Sequence, residues 1–243
     1  SKINNFVDLF CGGGNVGINV ISKGTIYNDI NEYVIELLKM FHDKTFDELN
    51  YDIENIIKSY NLTKQNKEGY LALRNDYNNN PNPLYLFVLI CFAFNHQIRF
   101  NSKHEFNTPF GKNRSSFNER IRTNLKTSME KLKEGNNTFL THDFRTFSYS
   151  TLTQNDFVYA DPPYSLGVGT YNDGKRGFEG WNIEHDSSLF SILENLDENN
   201  IKFALSNVFE NSGSENRLLK EWVQDNSFTV YYLNYNYNNS SYH

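Results

Sequence analysis

At 243 residues, with 38% apolar and 16% aromatic residues, the chain carries enough hydrophobic material for one large domain with a substantial insert. Two cysteines, Cys11 and Cys91, stand far apart with no CxxC pair or Cys/His cluster, which argues against a zinc site or disulfide framework and for a reducing compartment. The net charge of −6 speaks against a uniformly basic nucleic-acid binder, but seven basic residues against two acids between His96 and Lys126 leave that segment at +5 and the remainder at −11.

The first predicted unit is strand, turn, helix, strand. "NFVDLF" is a buried-strand run, "CGGGNVG" a turn, "INVISKG" a short helix closed by Gly24, and "TIYND" a second strand. From residue 31 to 74 the spacing is helical in "NEYVIELLKMFHD", "LNYDIENIIKSY" and "KEGYLALRNDY". "NDYNNNPNP" at 75–83 reads as a loop, and the abundant asparagine as compositional bias. "LYLFVLICFAF" at 84–94 is too short to span a bilayer and reads as a buried helix. "RFNSKHEFNTPFGKN" has hairpin or loop character, and "SFNERIRTNLKTSMEKLKEG" returns to helix and stops at Gly135. Three strand-like runs follow, "TFLTHDF", "DFVYADPPY" and "IKFALSNV", with "HDSSLFSILENLDE" as a helix between the last two. Alternating strand and helix predicts an α/β fold with a mostly parallel sheet. Residues 1–47 and 136–243 form its two halves, and the largely helical span 48–135 is an insert. The chain goes almost directly into a strand without a signal peptide, and the expected location is the cytoplasm of a bacterium or of a virus's bacterial host.

Three features carry chemistry. Gly12, Gly13 and Gly14 directly after a strand let a backbone approach a ligand closely, and a helix after them is expected to aim its N-terminus there. Asp29 ends the second strand 15 residues after Gly14, where a carboxylate suits ribose hydroxyls. Asp8, just before the turn, would repel a pyrophosphate but suit a cofactor bearing positive charge, such as the sulfonium of S-adenosylmethionine; it could equally cap the loop backbone.

The third feature is "ADPPY" at the end of a strand. Two prolines fix φ and withhold donors, so Pro162 and Pro163 could merely start a turn. The chemical reading is that an exocyclic aromatic amine, a poor nucleophile, needs two rigid acceptors for its hydrogens. The Asp161 carboxylate and the Pro162 carbonyl supply them, while Tyr164 offers a flat face for the base. In the basic segment, Arg99 suits a guanine edge, while Asn95, Asn101 and Asn107 suit adenine edges or phosphates. Pro109 and Phe110 offer apolar packing against bases, and Lys112 and Arg114 meet phosphates or the groove.

"FVDLFCGGG", "NDI" at 28–30, "RFNSKHEFNTPFGK" and "ADPPY", in this order, resemble the Dam family of DNA adenine-N6 methyltransferases over nearly the whole chain. The resemblance implies the S-adenosylmethionine-dependent methyltransferase fold, Rossmann-like, with a target-recognition insert. It also implies double-stranded DNA as partner, with neither membrane nor metal, and an adenine target typically within GATC. Carried over, Phe10, Gly12, Asp29 and Ile30 line the cofactor pocket beside Asp8, Asp143 and Phe144 hold the cofactor's adenine, and Asp161 lies near its methionyl end. Asp161, Pro162, Pro163 and Tyr164 grip the target base, with Tyr171 closing over it. The family's aromatic-x-Gly-x-Lys segment before the first strand and a further strand after the last are not in this sequence; flexible ends or truncation would account for that, with cofactor affinity at stake. The alternatives are a cytosine-N4 enzyme, a glutamine-amide or RNA enzyme (less compatible with Asp161), a catalytically inactive DNA-binding protein of the same fold, and a nicotinamide dehydrogenase, which leaves "DPPY" unexplained.

Overall fold

Ile3–Asp8 (β1), buried on both faces at Phe6, Val7 and Asp8, is the middle of a five-stranded parallel sheet. In the computed structural model, which describes residues 3–165, 180–211 and 213–233, β1 lies between Ser22–Asn28 (β2) and Phe157–Ala160 (β4). Thr138–Leu140 (β3) pairs outside β2 and Lys202–Leu205 (β5) outside β4, giving the order β3-β2-β1-β4-β5. This is the expected doubly wound α/β arrangement, and its strand order reverses between β1 and β4. A small antiparallel pair, Glu210–Asn211 (β6) and Ser214–Glu215 (β7), stands apart from the main sheet.

The period of two divides the sheet's faces. Val7 and Val158 pack with Leu189, Phe190 and Leu193 of α6 (Ile183–Glu198) and with Leu219 and Trp222 of α7 (Arg217–Asp225). Tyr27 packs on the other face with Ile35 and Leu38 of α1 (Glu32–Asp43) and Leu132 of α5 (Glu119–Leu132). Between α1 and α5 run α2 (Phe46–Ser59), α3 (Lys67–Asn79) and α4 (Pro83–Phe92), whose apolar residues share a core with Leu37 and Met40 of α1 and with Leu125 and Met129 of α5.

Two expectations change. "INVISKG" is not a helix: a single 3-10 turn, Gly17–Asn19, precedes β2, which already begins at Ser22. The β-branched residues around it favour extended backbone. Gly24 lies inside the strand, where a Cβ would come within 2.3 Å of the Asn136 carbonyl oxygen. Nor is the asparagine mere bias. Asn31, Asn66, Asn82, Asn118, Asn182 and Asn216 are the N-caps of six of the seven α-helices among the described residues, each side-chain oxygen accepting a backbone N–H of the first turn. Asn61, Asn95, Asn113 and Asn200 adopt positive φ, which asparagine tolerates better than other residues with a Cβ.

The basic stretch is a hairpin, bridged antiparallel at Ala93–Phe110 and Phe100–Phe106. Asn78 of α3 clamps it, its Oδ1 accepting from Phe106 N at 2.8 Å and its Nδ2 donating to Phe106 O at 3.2 Å. The Tyr70 hydroxyl donates to Thr108 O at 2.8 Å, and Tyr33 of α1 stacks on Phe100 with ring centres 4.4 Å apart. The hairpin is thus carried rigidly on α1 and α3.

Candidate active site

In a doubly wound sheet the ligand crevice opens beyond the carboxyl ends of the strands where their order reverses. Here those ends are Asp8 of β1, leading into the glycine-rich turn, and Ala160 of β4, leading into Asp161-Pro162-Pro163-Tyr164. The two strands are in register at Asp8–Tyr159, and Leu9 N donates to Tyr159 O at 2.9 Å.

Carboxylates shape the turn. Asp8, 2% exposed, accepts at Oδ2 from Gly17 N at 2.9 Å, so it does cap the loop. Burial pushes its pKa up to about 6, the Gly17 N–H lowers it, and the negative charges of Asp161 and Asp29 add to the rise. Asp29 holds the turn from the β2 side: Oδ2 accepts from Gly12 N and Oδ1 from Asn31 N, both at 2.9 Å. Burial raises its pKa against those two donors. Gly12 has φ +48°, and a Cβ there would point into open space, so the glycine answers a backbone demand and leaves room for a ligand. Asn28 ties the neighbouring strand ends together, its Nδ2 donating to Leu9 O and His142 O, each at 3.0 Å.

Gly12, Gly14 and Gly17 have the G-x-G-x-x-G spacing of a dinucleotide site, so the ligand's charge is decided by the groups around the turn. The 3-10 turn stands where the sequence led us to expect a helix N-terminus, and three carboxyl groups lie at neighbouring strand ends. Three carboxyl groups, with a 3-10 turn in place of a helix N-terminus, make an environment less suited to a pyrophosphate than to a cationic or neutral group.

At the DPPY corner the Tyr164 hydroxyl donates to Asp161 Oδ1 at 2.9 Å and lies 3.5 Å from Ser206 Oγ. Asp161 opens to solvent on one side while the corner crowds it on the others. Burial lifts its pKa, offset in part by hydrogen bonds from Tyr164 and Ser206. Pro162 is buried and Pro163 half-buried. Tyr171 lies outside the described residues.

Phe10, half-buried, meets Phe144 at 5.4 Å and Trp181 at 5.6 Å between ring centres, and Trp181 meets His185 at 5.2 Å. Trp181 is anchored by Nε1 donating to Asp186 Oδ1 at 2.8 Å. These aromatic rings form one packed cluster around Phe10, two residues before Gly12. Ile30 is 46% exposed at the end of β2. Asp143 caps a short 3-10 turn, and the Arg145 guanidinium grips both its oxygens, at 2.9 and 2.6 Å, holding its pKa below the usual carboxylate range. Phe144 is buried in the core under Trp181. Trp181, His185 and Ser206 escaped the sequence reading; the apolar-to-polar break in "GWNIEHD" and the strand end "LSN" were the available signals.

On the hairpin, Arg99 is exposed, with Nε donating to Asn107 Oδ1 at 2.8 Å and a terminal nitrogen to Asn107 O at 3.1 Å. Asn101 shapes the tip, its Oδ1 accepting from Lys103 N and Glu105 N and its Nδ2 donating to Glu105 at 2.7 Å. Asn95 has φ +53°, Pro109 and Lys112 are exposed, and Arg114 lies over the Phe94 ring at 5.0 Å. Phe110 packs half-buried on Tyr70 at 5.3 Å. The basic segment is less free than its sequence suggests. Arg122 pairs with Glu119 and Glu54 while covering Phe117, and Lys126 lies over Phe46 at 5.7 Å.

Among the described residues no helix is long and apolar enough to cross a membrane. Comparison with known proteins agrees with the geometry. The model of the D12 class N6 adenine-specific DNA methyltransferases matches residues 1–239. The modification methylase StsI of Streptococcus sanguinis is 48% identical over 99% of this chain, and the type II methyltransferase M.FokI of Planomicrobium okeanokoites 45% over 99%. The DNA adenine methylase of Salmonella typhi is 28% identical over 90% of the chain and 74% of its own length. The chain spans 37% of the length of StsI and of M.FokI. A family model matching nearly the whole chain, on a doubly wound sheet with DPPY at its switch point, identifies the chain as a member of the D12 class of N6 adenine-specific DNA methyltransferases.

Proposed function

We propose that this chain transfers a methyl group from S-adenosylmethionine to N6 of an adenine extruded from double-stranded DNA. The observation that carries this reading is the adjacency of the glycine-rich turn and the DPPY corner at the ends of the paired strands β1 and β4. The cofactor fits the residues present: three carboxyl groups favour a sulfonium over a pyrophosphate, and the aromatic rings of Phe10, Phe144 and Trp181 suit a flat heterocycle. Asp29 and Gly12 would hold the ribose side and Ile30, Asp143 and Phe144 the adenine. When bound, the cofactor supplies an electrophilic methyl group.

The chain's own residues do the rest. The Asp161 carboxylate and the Pro162 carbonyl accept the two N6 hydrogens, which draws the amine lone pair out of the ring. Tyr164, tied to Asp161, presents its ring to the extruded base. The proton that N6 gives up is received at Asp161, whose raised pKa suits a base that must later release it.

We further propose that the span 48–135 is the target-recognition insert and that its hairpin reads the duplex. Asn107 fixes the plane of the Arg99 guanidinium, which supports Arg99 as the reader of a guanine edge. Asn95, Asn101, Pro109, Phe110, Lys112 and Arg114 would support the backbone or neighbouring bases. Arg99→Ala is expected to cost about 1–3 kcal/mol of discrimination at one base pair. Competition between cognate and singly substituted duplexes measures this, and an unchanged sequence preference would overturn the assignment. GATC is the first target we propose. The relatives named as modification methylases share more identity with this chain than the one named as a DNA adenine methylase, so duplexes with targets other than GATC also merit the assay.

The test is incubation with tritiated S-adenosylmethionine and duplexes with and without GATC, then digestion to nucleosides. Label in N6-methyladenine supports the reaction, and its distribution between duplexes gives the specificity. Label in N4-methylcytosine, or cofactor binding without transfer to any DNA, would overturn the proposal.

A further inference from the structure

Ser206 stands at the carboxyl end of β5, on a strand that neither the glycine-rich turn nor the DPPY segment uses. β5 runs parallel to β4 with Ala160 opposite Leu205, so the next residue on each strand, Asp161 and Ser206, emerges at the same level. Ser206 N donates to Ala160 O at 2.8 Å, which fixes its backbone against the first residue of the corner. Its Oγ lies 3.5 Å from the Tyr164 hydroxyl, Tyr164 itself donates to Asp161 Oδ1, and the Ser206 hydroxyl is near enough to hold the Asp161 pKa down. Carboxylate, phenol and serine hydroxyl therefore meet where the two strands end.

We propose that Ser206 is a positioning residue for methyl transfer, holding the Asp161 carboxylate and the Tyr164 hydroxyl in the orientation that receives the target amine. A carboxylate on the open side of a crevice turns about its side-chain bonds, and one donor fixes only one oxygen. The second donor, delivered from a rigid strand end, removes that freedom before the base arrives. The inference rests on the adenine-N6 reading above and assigns it a further residue.

Ser206→Ala and Ser206→Thr test it, compared with the unaltered chain. In Ser206→Ala, kcat is expected to fall about tenfold, the worth of one hydrogen bond to a charged group, with KM for DNA and the melting temperature unchanged. The acid limb of its kcat profile should move to higher pH, because an ionised carboxylate has lost a donor. The titratable groups facing Asp161 are Tyr164 on its own turn and Asp8 at the end of β1, with Asp29 beyond; none of them is altered. Ser206→Thr keeps the hydroxyl and should restore both rate and profile. In parallel, the Asp161 carboxyl is titrated by carbon NMR, its resonance identified by its loss in Asp161→Asn, and is expected to titrate higher in Ser206→Ala.

An unchanged rate and pH profile in Ser206→Ala would overturn the inference. So would a loss that follows a lowered melting temperature and that threonine does not repair. If the unaltered chain methylates no adenine, the functional reading fails separately. The carbon titration then still decides Ser206, since an unshifted Asp161 resonance overturns its role whatever the activity.

Discussion

Asp161→Ala is expected to lower methyl transfer by about a thousandfold, while DNA affinity stays within a few-fold of the unaltered chain. On the proposed mechanism the substitution removes one of two rigid acceptors aimed at the amine and also the group that receives its proton. It leaves the Pro162 carbonyl and the hairpin untouched. Tyr164 loses its bond to Oδ1, so its ring is held less firmly against a base. In the proposed reading the affinity for the duplex is set elsewhere, by the hairpin carried on α1 and α3. Tritium incorporation under saturating cofactor and DNA measures the first effect, and fluorescence anisotropy of a labelled duplex the second. Turnover equal to that of the unaltered chain would refute the role given to the corner. A parallel collapse of DNA binding would instead mean that Asp161 maintains the fold of the crevice.

The strands and helices were legible because their signals are local. Short apolar runs bounded by turn residues gave β1, β4 and β5, and 3.6-spaced apolar positions gave α1 to α3 within a few residues. DPPY and the glycine-rich turn were legible because each is a contiguous stretch whose residue types have few other uses together. Pairing between distant parts of the chain could not be read. Asp156 bonds the backbone and side chain of Asn5, 151 positions away, and Ser206 reaches Tyr164 across 42. Nothing in either neighbourhood announces its partner. The charge census erred for the same reason. Arg122 counts as positive surface in the sequence, but Glu54 and Glu119 neutralise it and Phe117 lies beneath it. The asparagines were misjudged because their capping role appears only once the helix starts are known. The short helix after the glycines failed because "INVISKG" is compatible with either periodicity over so few residues, and pairing with β1 claimed it for β2.

The second large effect is at Asp8, where stability and cofactor binding are expected to move in opposite directions. Its pKa in the fold, about 6, stands above the ordinary value of 3.8, so the native state prefers the protonated form. That preference stabilises the fold fully below about pH 3.8 and is lost as pH rises to about 6; beyond it, burying the ionised carboxylate costs about 3 kcal/mol. Asp8→Asn removes the charge but keeps an oxygen able to accept from Gly17 N. It is therefore expected to stabilise the chain by up to about 3 kcal/mol at pH 8, with the gain vanishing near pH 4. Urea unfolding at the two pH values checks this. A cationic cofactor reverses the preference, since it favours the ionised side chain. Its affinity for the unaltered chain should weaken as pH falls through about 6, and Asp8→Asn should bind weakly at pH 8 with a flatter pH dependence, the remainder belonging to Asp29 and Asp161. Calorimetric titration with S-adenosylmethionine reads both. If Asp8→Asn is equally destabilised at pH 4 and pH 8, Asp8 serves only as the cap of the turn. The pocket's preference for a cationic cofactor would then rest on Asp29 and Asp161 alone. If instead the variant is more stable and binds the cofactor less well, the fold sustains a buried charge at the end of its central strand because the ligand requires it.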